Sequence, residues 1–373
     1  MTTCSIIITN YNYARYLSAA IESALDQTWP DTEVIVVDDG STDGSREVIH
    51  GFADRIVTVF KDNGGQGSAF NAGVERSGGD VVIFLDADDF LGRDAVETAL
   101  AAFADEAVVK VHWPLQLIDA EGAVLPGCKP GGALPGGDLR ATILETGPTS
   151  SLSSPTSGNA WRRTLLEQIL PVPEDVAYYR SCADEYLYTL APVFGRVAAV
   201  DRPLGFYRLH ATNVYSSKTA RQKLVMELDG HGQQCNALAA TLARHEIDVD
   251  LEQWRRNSWF HRLRRAIDEI EAEVPVGLTF VLADEETWGA DGLFGHRTVV
   301  SANSLTAVGG PPANDAGAIE LLPVLAEFNY VAFGWPSFWW FAAYPQFAEA
   351  LSVAFETVAD TDVARVLKRR SAT

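Results

Sequence analysis

The sequence predicts an α/β fold: a mostly parallel sheet flanked by helices, then a helical connecting segment and a small C-terminal α/β domain. Three observations predict it. Strand-like and helix-like runs alternate strictly from residue 4 to residue 89, the strand-like runs end in polar or acidic residues, and the alternation returns after Pro275. Alternation of this kind implies parallel strands joined by helical crossovers, with both faces of the sheet covered.

CSIIIT (4–9) reads as a buried strand, and ARYLSAAIESALDQT (14–28) sets Leu17, Ile21, Ala24 and Leu25 on one helical face. TEVIVVDDG is a second, β-branched strand, and STDGSREVIHGFA supplies a Ser or Asp cap and a helix. RIVTVFK is a third strand, GSAFNAGVERS a third helix and DVVIFLDADD a fourth strand. Between about 105 and 160 the pattern loosens into a Gly-, Pro- and Ser-rich stretch, which reads as a functional loop. From 223 to about 272 it turns helical, with Trp254, Trp259, Leu263 and Ile267 as a packing stripe. VGLTFVLAD, AIELLPVLAEF, NYVAFGW and SFWWFAAYPQFAEALSVAF then resume the alternation. The boundaries follow as 1–222 for the first domain, 223–275 for the connecting segment and 276–373 for the last domain.

The chain has 373 residues, 47% hydrophobic and 21% charged, with a formal net charge of −21. Mean hydropathy is near zero, as in an ordinary globular protein. Such an acidic chain does not bind nucleic acid through its overall field, and a phosphate-bearing substrate needs a metal or a local basic pocket. Trp161-Arg162-Arg163 and Lys368-Arg369-Arg370 are the basic clusters to weigh for that, against plain surface charge. The four cysteines (Cys4, Cys128, Cys182, Cys235) are scattered, which suggests reduced thiols and a cytoplasmic protein. No basic leader precedes Ile6, and the longest apolar stretch, 331–344, is too short to span a bilayer and holds Pro336. The expectation is a protein without a transmembrane segment, whose VLKRR end can touch the inner face of a membrane.

In open α/β sheets ligands bind outside the carboxyl ends of the strands. Thr9 and Asn10 end strand one, Asp38 and Asp39 end strand two, and Asp86, Asp88 and Asp89 end strand four in FLDADDF. If the backbone stays extended, Asp86 and Asp88 project to one side and offer oxygen ligands to a hard divalent cation. Such a cation completes its shell with water and substrate phosphate oxygens, which suggests nucleoside-diphosphate chemistry. The competing reading is that these acids cap the helix GRDAVETALAAFA.

The run TNYNYARYLSAAIESALDQTWPDTEVIVVDDGSTDGS (9–45) followed by FLDADD resembles the family 2 glycosyltransferases, enzymes of GT-A fold that use nucleotide-activated sugars. NGGQGSAFNAG (63–73), SGNAWRR (157–163), ADEYLYTLAP (183–192) and LGFYRLHATN (204–213) extend the resemblance over roughly 4–215. It implies that Thr9 and Tyr11 line the base or ribose pocket, that Asp39 accepts from a nucleobase N–H, and that Asp86 lies by the ribose. It makes Asp88 the main metal ligand for Mn2+ or Mg2+, with His210 beside the metal or diphosphate, and Asp184, or its neighbour Glu185, the base. Gly67 belongs to a glycine run whose backbone N–H groups would approach the donor. Ser157, Gly158 and Asn159 become candidate contacts to the donor or acceptor sugar. The implied reaction is a single displacement with inversion, from a nucleotide-sugar donor to a carbohydrate or lipid-linked acceptor in bacterial glycan or cell-surface polysaccharide assembly. The base would have its pKa raised by like charges.

Two alternatives stand beside this. A nucleotidyltransferase would carry a G-x-G-x-R-like loop with a Lys, where this chain has NYNYAR. A non-catalytic glycan-binding or scaffolding protein would not need every nucleotide, metal and base position filled. ADEETWG and PSFWWFAAYPQFAEAL resemble an accessory region of some bacterial members; Trp335, Trp339, Trp340 and Tyr344 there read either as core or as a sugar-stacking platform.

Overall fold

The computed structural model describes residues 2–148, 153–210, 219–288, 292–306 and 309–371. The ATN of LGFYRLHATN and the TSSL of the Ser-rich stretch lie outside them. The chain divides into two compact units, Met1–Asn213 with Gly230–Ser258, and Val214–Asp229 with Trp259–Thr373.

The first unit opens with β1 (Cys4–Asn10), α1 (Ala14–Leu25), β2 (Thr32–Asp39), α2 (Ser45–His50), β3 (Val57–Lys61), α3 (Gln66–Arg76) and β4 (Val81–Asp86). It continues through β5 (Phe90–Leu91), α4 (Ala95–Ala102), β6 (Val108–His112), β7 (Leu115–Ile118), β8 (Val124–Lys129), α5 (Arg140–Thr146), β9 (Asn159–Arg162) and α6 (Arg163–Ile169). α7 (Ala183–Phe194), β10 (Arg196–Ala199) and β11 (Gly205–Arg208) follow, then α8 (Ala220–Ala243) and α9 (Leu251–Asn257). The main sheet has the order β10-β6-β9-β4-β1-β2-β3. β1 pairs in parallel with β2 and β4, β2 with β3, and β6 with β10; β9 alone runs antiparallel, between β4 and β6.

Both faces are apolar because each strand alternates between two cores. Ile7, Ile35, Val37, Val82 and Phe84 point to one, with Phe70 and Leu187. Ile6, Ile8, Val34, Val36, Ile83 and Leu85 point to the other, with Leu17, Ile21 and Val96. Burying each such side chain contributes about 1.5–3 kcal/mol. A second sheet, β5-β11-β7-β8, stands at the end of the acid strand, where Phe90 stacks on Phe206 at 4.4 Å.

The structure corrects four readings. The stretch 105–160 contains β6, β7, β8 and α5 rather than one long loop, and NAWR within SGNAWRR is a central strand. The backbone does not stay extended through FLDADDF: it turns after Asp86, with Asp89 N–H donating to the Asp86 carbonyl at 3.1 Å. The stripe from Trp254 to Ile267 breaks at Ser258, leaving Trp254 1% exposed and Trp259 38% exposed. Arg162 and Arg163 are not a phosphate site, since their guanidiniums donate to the carbonyls of Phe103, Val108 and Gly79.

The second unit contains α10 (Trp259–Glu273), β12 (Thr279–Ala283), β13 (Thr298–Ser301), α11 (Asp315–Ile319), α12 (Leu322–Leu325), β14 (Tyr330–Gly334), α13 (Trp339–Ala343), α14 (Pro345–Ala354), β15 (Phe355–Asp360) and β16 (Ala364–Arg369). Its sheet runs β13-β12-β14-β16-β15, with β12 parallel to both neighbours and the last two strands antiparallel. Leu263, Ile267 and Ile270 of α10 cover one face, and Trp340, Phe347 and Leu351 cover the other. Among the described residues no helix is long and apolar enough to cross a membrane.

Helix α3 lies close on the sheet because Gly73 has no side chain: a Cβ there would sit 2.3 Å from Cγ2 of Ile7. Gly73→Ala gains about 1 kcal/mol of helix propensity but costs about 1–3 kcal/mol of overpacking. The net expected outcome is destabilisation, read as a lower urea midpoint at unchanged slope.

Candidate active site

The carboxyl ends of β1, β2 and β4 open into a cavity of about 490 Å³. Thr9, Asn10 and Tyr11 line it from β1, Asp39 from β2, Gly65 and Gln66 from the entry to α3, and Asp86 and Asp88 from β4. Arg180, Ser181 and Tyr207 close the opposite wall. Thr9, Tyr11, Asp39, Asp86 and Asp88, far apart in sequence, are thus brought together. The strands put them there: their apolar runs are consumed by the two cores, and the first residues past the sheet are free to be polar.

Asp39 is 3% exposed and held by three donors. Lys61 Nζ and the Gly64 N–H reach one carboxylate oxygen at 2.7 and 2.9 Å, and the Gly65 N–H reaches the other at 2.7 Å. One lone-pair direction remains for a ligand donor. Gly65 must be glycine, since its φ is 88° and a Cβ would lie 2.6 Å from the Arg180 Cα. Gly67 does not reach the cavity: it is buried, with Val172 where a Cβ would stand, so the glycine run serves Asp39 and close packing.

The three acids of the β4 turn take different surroundings. Asp89 is buried, accepting from the Arg208 N–H at 3.0 Å and Ser157 Oγ at 2.7 Å. Burial and the charges of Asp88 and Asp86 hold its carboxyl well above the usual range. Asp86 is raised too, by burial first and then by Asp88 and Asp184. Asp88 faces the cavity, and His210 Nε2 lies 2.9 Å from its Oδ2. Arg208 ties the turn down, its Nε donating to the Asp88 carbonyl at 2.8 Å.

Asp184 stands in the first turn of α7, at the positive end of the helix. Hydrogen bonding with Thr156 works to lower the pKa of both Asp184 and Asp86, and the Thr156 hydroxyl accepts from Gln66 Nε2 at 3.1 Å. Burial raises the Asp184 pKa against the lowering effect of these bonds. Lys110, buried and pushed down to about 7 by burial, feels the Asp184 charge. Glu185 is engaged elsewhere, accepting from Gln234 Nε2 at 2.7 Å.

Ser157, Gly158 and Asn159 require a correction as sugar contacts. Ser157 and Asn159 are 0% exposed. The Ser157 hydroxyl accepts from the Asp86 N–H at 3.1 Å as well as donating to Asp89, Gly158 packs on Ser154 and Trp113, and the Asn159 amide donates to the carbonyls of Ser154 and Pro155. They brace the acid turn from behind. The residues that sequence reasoning left out are Lys61, Gln66, Thr156, Arg180 and Arg208. Arg208 had a signal, since it stands in the same YRLH segment as His210, beside three acids that need buried donors.

Comparison with known proteins bears on what this site belongs to. The model of glycosyl transferase family 2 matches residues 5–119. An uncharacterized glycosyltransferase of Nostoc sp. (strain PCC 7120) is 36% identical over 278 residues, covering 71% of this chain and 85% of the relative. The chain belongs to glycosyl transferase family 2. An uncharacterized glycosyltransferase of Haemophilus influenzae is 38% identical over 126 residues, 33% of this chain and 50% of the relative. The chondroitin synthase of Pasteurella multocida is 39% identical over 125 residues, 32% of this chain and 13% of the synthase. Among solved structures, S. aureus TarS 1–349 in complex with UDP-GlcNAc gives a TM-score of 0.45 at 21% identity, over 73% of this chain and 82% of that one. The mannosyltransferase PcManGT from Pyrobaculum calidifontis gives 0.46 at 17% identity, over 74% and 76%. As a family 2 glycosyltransferase the chain is an enzyme of sugar transfer, and its parallel-rich sheet flanked by helices is the expected GT-A architecture.

Ser157→Ala removes a donor from the buried Asp89 and an acceptor from the Asp86 N–H. The expected loss is about 1.5–3 kcal/mol, the range of hydrogen bonds to charged groups, measured by chemical denaturation; a Thr at this position should recover part of it.

Proposed function

We propose that the chain is an inverting glycosyltransferase that uses a divalent cation to move a sugar from a nucleoside-diphosphate donor to an acceptor hydroxyl. The observation that carries this is the convergence on one sheet edge of Asp39, of the Asp88–His210 pair at 2.9 Å, and of a half-buried Asp184 whose charge is felt by Asp86. A nucleobase N–H would take the remaining lone pair of Asp39, with the exposed ring of Tyr11 beside it.

Among the described residues no group of three or more His, Cys, Asp or Glu is arranged as a metal cage. The residues nonetheless fit a cation held in part by its substrate. Asp88 offers a hard carboxylate at the cavity wall and His210 a nitrogen next to it, which leaves room for phosphate oxygens and water, as Mg2+ and Mn2+ sites on nucleotide substrates require. Bound there, Mn2+ or Mg2+ would neutralise the charge that develops on the departing diphosphate. Arg208 and Ser157 fix the turn so that Asp88 is presented without rearrangement.

Asp184 is favoured over Glu185 as base because its carboxyl lies at the acid cluster, while Glu185 is spent on Gln234. The acceptor hydroxyl would give its proton to Asp184 as it attacks the anomeric carbon, and the carbon–oxygen bond to the diphosphate breaks in the same displacement. One base and no enzyme nucleophile means inversion. A carbohydrate or lipid-linked acceptor in polysaccharide assembly is the substrate class we propose; the likeness to a chondroitin synthase supports it.

The test is release of nucleoside diphosphate from a panel of nucleotide sugars, with and without chelator. Chelator and Asp88→Ala should each abolish release, and His210→Ala should raise the metal concentration needed for half-maximal rate. Asp184→Asn should lower kcat by about 10²–10⁴-fold, the contribution of a positioned base, while Glu185→Gln keeps most activity. Because Asp184 must be ionised and burial raises its pKa, kcat should fall on acidification while the pH is still above the usual carboxylate range near ~4. A metal-independent rate, or an unaltered Asp184→Asn enzyme, would sink the reading.

A further inference from the structure

The second unit carries a site of its own at the carboxyl edge of its sheet. The chain leaves β12 for β13 on one side and then returns to β14 on the other, all three strands running parallel. The order reverses between β12 and β14, and in open α/β sheets the ligand crevice forms at the carboxyl ends flanking such a reversal. There β12 delivers Asp284, Glu285 and Glu286, and β14 delivers Trp335.

Next to this edge lies a cavity of about 500 Å³ whose lining includes Trp259, Phe260, Trp288, Glu286, Thr287 and Lys223. Its backbone is strained: Glu285 and Glu286 are consecutive residues in the left-handed region, with φ of 54° and 57°. That conformation costs roughly 1–2 kcal/mol for each side chain-bearing residue. It is held in place by the buried Asp284, which accepts from the N–H groups of Glu286 at 3.2 Å and Trp288 at 3.0 Å, and by Glu285, which accepts from the Trp340 indole at 2.7 Å. Strain that the surroundings impose so firmly is a mark of a functional turn. The Trp288 indole N–H is buried without an acceptor among the described residues, a donor left over by the protein's own bonding.

The lining selects a ligand class. Trp259 is 38% exposed, with its edge against Trp335 at 6.1 Å, so it offers ring surface to the solvent side. Glu286 and Glu227 are carboxylates, which accept from hydroxyls and repel phosphate, and only Lys223 offsets them in the lining. Ring surface combined with hydroxyl acceptors and a negative rim suits a neutral polyol whose C–H faces pack on indole. We propose that this cavity binds a neutral saccharide, with a sugar ring against Trp259 and its hydroxyls donating to Glu286.

The full chain is screened on an array of short neutral and anionic oligosaccharides, and binders are titrated by calorimetry against the wild type, Trp259→Ala, Glu286→Gln and Asp88→Asn. Trp259 is surface-exposed and Glu286 is replaced by its isostere, and melting curves check that each variant folds. The expected result is a neutral binder weakened about tenfold or more by either second-unit substitution and unchanged by Asp88→Asn. Absence of any neutral binder, preference for anionic saccharides, or loss of binding in Asp88→Asn alone would each overturn the proposal.

Discussion

The constraint on which the first unit depends is the crowding of acids at the end of β4, where Asp89 is buried and Asp86 and Asp88 are half-buried. Asp86, Asp88 and Asp89 follow each other within four residues, and Asp184 is brought to the same place. Taking a carboxylate out of water costs several kcal/mol unless it is paired or hydrogen bonded, and neighbouring charges of one sign add to the cost. The fold answers with donors more than with counter-charges. Asp89 receives a backbone N–H and a hydroxyl, Asp39 receives a lysine and two backbone N–H groups, and Gln66 Nε2 donates to Asp86 at 3.4 Å. Hydrogen bonds to charged groups are worth about 1.5–3 kcal/mol each, so two at one carboxylate offset most of its desolvation.

What the donors leave uncompensated is the source of reactivity. Asp86, Asp89 and Asp184 all have raised pKa values, by burial first and, for Asp86 and Asp89, by neighbouring acids, so the cluster gains from taking up positive charge, whether a proton or a cation. A cation is the natural complement, and Asp86 and Asp88 both line the cavity, with His210 Nε2 2.9 Å from Asp88. Arg208 is the hinge of this arrangement. Its guanidinium is spent on the carbonyls of Asp88, Asp119 and Ala120 and on the Tyr16 ring at 4.7 Å, so it fixes the turn without cancelling the Asp88 charge.

β1 to β4 were legible in the sequence because a strand covered on both faces is a continuous run of β-branched residues, and its polar end marks the ligand edge. β9 was not. NAWR has four residues, no period, and flanks that read as loop, and only its pairing with β4 and β6 makes it a strand. The same blindness misplaced Ser157 and Asn159. Their residue types suit a ligand contact equally well as a buried brace, and burial is set by which strand covers them. His210 was found because imidazole is chemically distinctive, whereas Gln66 and Thr156 are common polar residues whose role exists only across 90 residues of sequence.

The two sheets obey one rule with different outcomes. In each, parallel strands end at an edge where the chain reverses its order, and in each that edge gathers acids: Asp39 and Asp86 in one, Asp284, Glu285 and Glu286 in the other. In the first unit the acids are joined by an imidazole, a guanidinium and glycine N–H groups, the set that the proposed reading needs for a cation and phosphate. In the second they are joined by Trp259, Trp288 and Trp335, with the buried Asp284 spent on its own turn. A carboxylate next to phosphate-binding groups and a carboxylate next to indole rings are different devices: one tolerates charge on its ligand, the other excludes it. On the two proposals, the division separates the chemistry of transfer from the recognition of an uncharged surface, with the same backbone feature in each unit.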